Sequence, residues 1–198
     1  MGESFFVHET SIVEKGANIG DGSKIWHHCH VRSTVEIGKN CILGKNVYVD
    51  KNVRIGNNVK IQNNVSVYDG VSIEDDVFVG PSVVFTNDVR PRAFIWDDSK
   101  LASTIVKKGA SLGANSTIVC GDRIIGEYAL VGAGAVVTKN VPPHALVMGC
   151  PAVVKGFVCT CAKELEFRKQ AGKDAIMLCS ACNKEIKIPE KDYSQISV

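Results

Sequence analysis

The side chains best equipped for chemistry fall into three groups. Cys159, Cys161, Cys179 and Cys182 stand as a C-x-C knuckle and, after the intervening stretch 162–178, a C-x-x-C knuckle. Paired thiolates at that spacing match a zinc-ribbon set apart from the shorter first knuckle. Four thiolates on one metal can replace the apolar core that so short a segment lacks. Disulfides or unligated thiols are the alternatives, and an iron-sulfur cluster suits paired knuckles less well. His27, His28 and His30 crowd beside Trp26 and Arg32. Such a set could ligate zinc, supply a general base or substrate contact, or form a plain polar corner. Arg90 and Arg92 share a short stretch with Phe94 and Trp96. They could clamp a pyrophosphate or carboxylate and stack on a ring. A solvated tether, or an arm packing one subunit on another, is the plainer reading of the aromatics.

A repeat must position these groups. Ser11 to Asp88 divides into thirteen hexads without a slip. The first slot holds Ser, Ala, Cys or Val, the third holds Val, Ile, Leu or Phe, and the last two collect Asn, Asp, Lys and Gly. Three residues alternating with period two, followed by three of turn chemistry, make a short strand and a corner. Three such hexads close one coil. Coils stacked about 4.8 Å apart bury the third-slot side chains in a continuous prism. The expected fold is all-β, a parallel β-helix.

Stacking gives the candidate sites an address. Steps of 18, one full coil, align Ser33, Lys51, Asp69 and Asn87, and beside them Arg32, Asp50, Tyr68 and Thr86. Above His27, His28 and His30 come Lys45, Asn46 and Tyr48, then Asn63, Asn64 and Ser66. With no second ring of imidazoles, stacking argues against a histidine zinc site. Val89 to Ser103 breaks the period and must leave the prism as an excursion carrying the arginines. Loops longer than about 12 residues are usually functional or disordered. The hexads then resume and lose register by one position at Asp122, placing Cys120 over Asn87, Lys139 over Cys120, and Ala133 over Ala114. One edge is polar and then cationic, and another is lined with small residues. A long thin ligand with an anionic far end fits between two such edges.

The hexads resemble those of the left-handed parallel β-helix acyltransferases, and the left hand rests on that resemblance, since the general crossover rule favours the right. Val131 to Lys139, followed by Val141 to Gly156, is similar to the closing coil of family members that use acetyl-coenzyme A. The resemblance implies that Ala114 and Ala133 admit the pantetheine arm and that Thr138 and Lys139 lie near the adenine. Lys155, after the turn Gly149-Cys150-Pro151-Ala152, would meet the 3′-phosphate. IWHHCHV, IQNNVSVYDGVSIEDDVFVGPSVVFTND and Pro91-Arg92 narrow the match. They resemble N-acetyltransferases of nucleotide-linked 3-amino sugars, chiefly those acting on UDP-2-acetamido-3-amino-2,3-dideoxyglucuronate, with dTDP-3-amino-3,6-dideoxyhexose enzymes as near relatives.

That resemblance implies acetyl transfer to a UDP- or dTDP-linked amino sugar for cell-surface polysaccharide synthesis, in sites between subunits of a homotrimer. Asn87 would act on the reacting amine. Asp69 would hold the sugar or accept a proton, and Asn64, Tyr68, Arg90, Arg92 and His28 would line the acceptor site. A ladder asparagine stabilising the corner is the alternative for Asn87. Val89-Arg90 departs from the residues expected before Pro-Arg, which leaves base and sugar open. A covalent route through Cys120 lacks a stacked histidine to activate it.

Composition sets the outer bounds. The chain has 198 residues, 45% hydrophobic, 22% charged and net charge +2. This balance describes a soluble protein with neither nucleic acid nor membrane as its main partner. Met1 to Thr10 lacks signal-peptide character, and no apolar run approaches the length of a membrane-spanning helix. Eight cysteines without a secretory signal point to the reducing cytoplasm. Residues 1–156 form the expected helical prism. Residues 157–198 form a second module, with a short charged helix over 163–171 beside the cysteines, that caps the prism or packs on a neighbouring subunit. A β-helical zinc hydratase, a scaffold whose ribbon binds a protein, and transfer to a sugar hydroxyl remain as rival readings.

Overall fold

The computed structural model describes residues 5–95, 97 and 100–196. Trp96 lies outside the described residues. Each hexad contributes a strand of two or three residues, such as Lys24–Ile25, Arg54–Ile55 or Val71–Ile73. The second-slot side chain faces out and the third faces in, as alternation along a pleated strand requires. The strands assemble into three sheets of nine, seven and six members that form the sides of a prism of about eight coils.

Register follows the arithmetic of closure. Parallel partners are offset by one coil, as in Lys60 with Ile42, Ser66 with Tyr48 and Arg54 with Glu36. Across the excursion the step becomes 33 in all three sheets, the 18 of one coil plus the 15 that leave it: Ser111 pairs with Phe78, Thr117 with Val84 and Thr104 with Val71. After Asp122 it is 19, as in Leu130 with Ser111. Ile25, Leu43, Ile61, Val79 and Leu112 stack down one side of the core with no exposed surface.

The corners explain the polar slots. The sixth-slot residues Asn40, Asn46, Asn52, Asn58 and Asn64 all adopt φ between 57° and 61°. This left-handed region is one that Asn and Gly enter most easily. Fifth-slot side chains then tie successive coils: the Lys39 N–H donates to Asn57 Oδ1 at 2.9 Å and the Lys45 N–H to Asn63 Oδ1 at 2.8 Å. The excursion leaves at Asp88 and returns as a narrow hairpin, with bridges from Asp88 to Leu101 and from Arg92 to Ile95. It is closed where the Ala102 N–H donates to the Asn87 carbonyl at 2.9 Å.

At the far end Ala145–Met148 completes the last parallel strand, and Val153–Phe157 folds back against it antiparallel. Then come an antiparallel sheet of Glu166–Ala171, Asp174–Leu178 and Glu185–Ile188 and a single helical turn, Glu190–Tyr193. The helix expected over 163–171 is therefore replaced by a strand. Its helix-forming composition is outweighed by cross-strand pairing: Gly172 at φ 63° turns the chain so that Glu166–Ala171 pairs with Asp174–Leu178. An isolated helix of that length would be marginal in any case. Phe157, Leu165, Ala175, Met177, Cys179 and Ile188 continue the core of the prism, so this segment caps it. Among the described residues no helix is long and apolar enough to cross a membrane.

Ile61 is fully buried and its neighbour Lys60 is exposed. In chemical denaturation Ile61→Ala should lower stability by about 2–5 kcal/mol. Lys60→Ala should stay within about 0.5 kcal/mol of the parent.

Candidate active site

Asn87 stands in the fifth slot of the last hexad before the excursion, at the edge between the seven- and six-stranded sheets. Its counterparts Asn57 and Asn63 accept backbone N–H bonds from the coil below. Among the described residues the Asn87 side chain has no hydrogen-bond partner, so it does not take the ladder role. The sheet register places Cys120 directly above it, and the Cys120 N–H donates to Thr86 Oγ1 at 2.9 Å. Cys120 is buried, whereas Thr138 and Lys139, one coil higher, are exposed.

Asp69, one coil below Asn87, is already engaged. Its carboxylate accepts from Asn52 Nδ2 at 3.2 Å and pairs with Lys51 at 3.9 Å, both on the coil beneath it. Tyr68 and Asn64 line one hollow of about 140 Å³ with Ser66, Val84 and Phe85. Arg90 and Arg92 are exposed on the excursion, where the Arg90 N–H donates to Asp88 Oδ1 at 2.7 Å. The structure thus gathers Asn87, Asp69, Tyr68 and the arginines around one edge and its flank. His28 does not join them. It sits three coils below Ser82 in the sixth-slot column, at φ 57°, and donates its backbone N–H to Thr10 Oγ1 at 3.0 Å.

Ala114 and Ala133 lie on a different edge, across the seven-stranded sheet. They stack because the preceding glycines leave no room for side chains: a Cβ on Gly80 would stand 2.7 Å from the Ala114 nitrogen, and one on Gly113 would stand 2.5 Å from that of Ala133. Within one chain the small-residue edge and the Asn87 edge are distinct corners, with the seven-stranded sheet between them. Lys155 is exposed on the returning strand Val153–Phe157.

The lower coils hold a network that the histidine-centred reading missed. Glu14 accepts from Arg32 Nε at 3.0 Å and from the Ser33 N–H at 2.8 Å, and its Oε1 lies 2.9 Å from His30 Nε2. The backbone N–H of Ser33, then His30, and then Arg32 hold its carboxyl down at about 2, against the opposing effect of desolvation. One more step of 18 below Arg32 would have found it. His8 stacks on His27 at 3.6 Å. Desolvation, with positive charge from His8, His28 and Lys45, lowers the His27 pKa.

The four cysteines of the cap converge. Their sulfurs lie within 4.8 Å of one another, with Cys159 to Cys182 at 3.5 Å, Cys161 to Cys179 at 3.6 Å and Cys161 to Cys182 at 3.9 Å. A disulfide would bring sulfurs to about 2.05 Å, whereas a tetrahedron with metal–sulfur bonds of about 2.3 Å has edges of about 3.8 Å. The donor set fits a tetrahedral metal. Both knuckles close through a left-handed residue just after the last cysteine, Ala162 at φ 67° and Asn183 at φ 57°. The thiols share charge unequally. Desolvation raises Cys159, but hydrogen bonds from the Cys161 N–H and the Cys182 thiol bring it down to about 6. Cys182 is lowered by the Lys184 N–H but pushed up to about 12 by the thiols of Cys159 and Cys179.

The family description "GMPPB C-terminal domain" matches residues 25–90, which lie in the repeat. A dTDP-3-amino-3,6-dideoxy-alpha-D-galactopyranose 3-N-acetyltransferase from Aneurinibacillus thermoaerophilus is 50% identical over 196 residues, covering 99% of this chain and 97% of that protein. The chain belongs to this family of hexapeptide-repeat nucleotide-sugar N-acetyltransferases. Among solved structures, a hexapeptide-repeat acetyltransferase from Vibrio cholerae, complexed with acetyl-coenzyme A, superposes on this N-acetyltransferase with a TM-score of 0.53 at 27% identity. That match covers 60% of this chain and 68% of the other. A UDP-N-acetylglucosamine acyltransferase from Bacteroides fragilis shares the fold, with a TM-score of 0.63 at 20% identity, over 79% of this chain and 62% of the other.

The Glu14 carboxyl is held well below its ordinary 4.5 in the folded N-acetyltransferase. Its ionised form favours the folded state, so this stabilisation is complete above about pH 4.5 and lost as pH falls towards 2. Urea midpoints measured across that window should decline in the parent, and part of the slope should vanish in Glu14→Gln.

Proposed function

We propose that the chain transfers the acetyl group of acetyl-coenzyme A to the 3-amino group of a dTDP-linked 3-amino-3,6-dideoxyhexose, with a UDP-linked 3-amino sugar as the alternative acceptor. Whole-length identity to a dTDP-sugar 3-N-acetyltransferase supports this reaction class. The observation that carries the site is the side-chain amide of Asn87, unpartnered among the described residues at the edge where the excursion leaves. Its Oδ1 accepts an N–H of the sugar amine and turns the nitrogen lone pair towards the thioester carbonyl. The amine attacks, the carbon–sulfur bond breaks, and the proton lost by nitrogen is balanced by the thiol that leaves. No acyl-enzyme is involved. Holding amine and carbonyl in contact supplies most of the acceleration, and a sugar amine flanked by electron-withdrawing groups needs no strong base. Asp69, tied to Asn52 and Lys51, stiffens the edge below and holds the sugar.

The working unit in this reading is a homotrimer of left-handed prisms. Ala114 and Ala133 of one chain face Asn87 of another, because within one chain the two edges stand on opposite sides of the seven-stranded sheet. Phe94, 83% exposed at the excursion's tip, would be covered by the neighbour. Thr138, Lys139 and Lys155 take the coenzyme's nucleotide and phosphates. Asn64, Tyr68, Arg90 and Arg92 hold the acceptor, and His28 is too far down the prism to share in it. Structural zinc on Cys159, Cys161, Cys179 and Cys182 locks the cap, and the enzyme works in the cytoplasm on a precursor of cell-surface polysaccharide. The hydratase reading is disfavoured because the cysteines, and no set of imidazoles, converge for a metal among the described residues.

Release of coenzyme A thiol with dTDP- and UDP-linked 3-amino sugars tests the reaction. Turnover should be fastest with a dTDP-linked sugar, and Asn87→Ala should lose about 100-fold or more in kcat while remaining folded. Full activity in that variant would remove Asn87 from the mechanism. Metal analysis should find one zinc per chain. Chelation should loosen the cap while leaving the spectrum of the lower coils intact; a metal-free chain of unchanged stability would contradict structural zinc.

A further inference from the structure

Resting on the acetyl-coenzyme A reading above, we propose that the C-terminal segment supplies part of the coenzyme site: Gln195 walls the pocket that receives the adenine and accepts a hydrogen bond from its amino group. A coenzyme whose thioester lies level with Asn87 and whose arm runs up the prism passes the height of Cys120 and reaches that of Lys139, two coils higher. This rise is roughly 10 Å. The nucleotide end then lies beyond the last coil, whichever chain supplies each edge.

At that height the molecule has a hollow of about 230 Å³ bordered by Lys139, Asn140, Ala152, Val153, Val154 and Gln195. Pockets for whole drug-sized ligands run to about 300–1,000 Å³, so this one suits a single ring system. Its apolar walls come from the returning strand and from Val137, Val141 and Val147 of the last coil, its cation from the same coil, and its outer lip from Gln195.

Gln195 is held in place from behind. The preceding helical turn is anchored where Tyr193 stacks on Phe157, ring centroids 6.3 Å apart, and Ile196 packs against the core. Gln195 Nε2 donates to the Lys191 carbonyl at 2.9 Å and reaches Asp192 Oδ1 at 3.5 Å. Both partners can only accept, so the amide nitrogen must face them. Oε1 has no partner among the described residues and is the group left to receive a donor. Adenine presents one in its exocyclic amine, beside a Lys139 ammonium suited to phosphate. The cap thus serves in coenzyme selection as well as in closing the prism.

The test is calorimetric binding of coenzyme A and of 4′-phosphopantetheine, which lacks the adenosine, to the full chain and to Gln195→Met. Losing one neutral hydrogen bond should weaken coenzyme A roughly five- to ten-fold, with phosphopantetheine binding and the melting temperature unchanged. An unchanged Kd for coenzyme A overturns the proposal. So does equal weakening of both ligands, which would make Gln195 a prop for the fold. Binding needs no acceptor sugar, so a parent chain that binds coenzyme A yet acetylates no sugar would sink the acceptor reading and leave this one standing. A parent that binds no coenzyme A would sink both.

Discussion

Closure of each coil by three hexads is the constraint on which the rest depends. It aligns the sixth-slot corners in columns, and left-handed backbone there favours the Asn and Gly that hold most of these positions. It also fixes the faces: second-slot side chains look out, third-slot side chains fill the prism, and neither can change without shifting a whole coil. Long parallel registers of this kind tolerate insertion only at a corner. Both departures, the excursion after Asp88 and the extra residue at Asp122, fall there, and pairing on all three sheets resumes with its faces unchanged.

The proposed site occupies the places where that regularity is relaxed. Asn57 and Asn63 commit their side chains to the coil beneath, whereas Asn87, the same residue type in the same slot beside the excursion, has no side-chain partner among the described residues. Small residues at Ala114 and Ala133 open a second edge in place of corner side chains that could have bound the coils together. The cap resolves the opposite problem. An open prism end would expose its last core residues, and the returning strand, with Phe157, Leu165, Ala175, Met177 and Ile188 of the cap, continues the core over them. Sheets of so few residues bury little area by themselves, and four cysteines with converging sulfurs stand where a metal cross-link could add to it.

Much of this was legible in the residues because a sixfold period is rigid. Counting in whole coils anticipated the columns, the stacking of Cys120 over Asn87 and of Lys139 over Cys120, and the length of the excursion. What escaped was what the period does not determine. Lys163 to Ala171 has helix-forming residues, yet pairing with Asp174–Leu178 draws it into a strand, a tertiary effect invisible to local propensity. Glu14 was within reach, one step below Arg32, but attention to imidazoles passed over the carboxylate that organises them. His8 precedes the first hexad, so no column led to its stack on His27. His28, singled out for its chemistry, occupies a slot whose backbone angle marks it as a corner residue far from Asn87. The engagement of Asp69 with Asn52 and the partnerless amide of Asn87 depend on side-chain directions that sequence does not carry.

In the proposed reading, two edges that stand apart in one chain become one site when chains assemble. Mixed oligomers test it most directly. A chain carrying Asn87→Ala and a chain carrying Ala133→Trp should each be inactive alone, the first lacking the amine-orienting amide and the second blocked along the small-residue edge. Unfolded and refolded together, they should recover part of the parent turnover, because some interfaces then pair an intact Asn87 with an intact Ala133. Mixtures that stay as inactive as either variant, despite demonstrated co-assembly, would place the whole site within one chain and contradict the account.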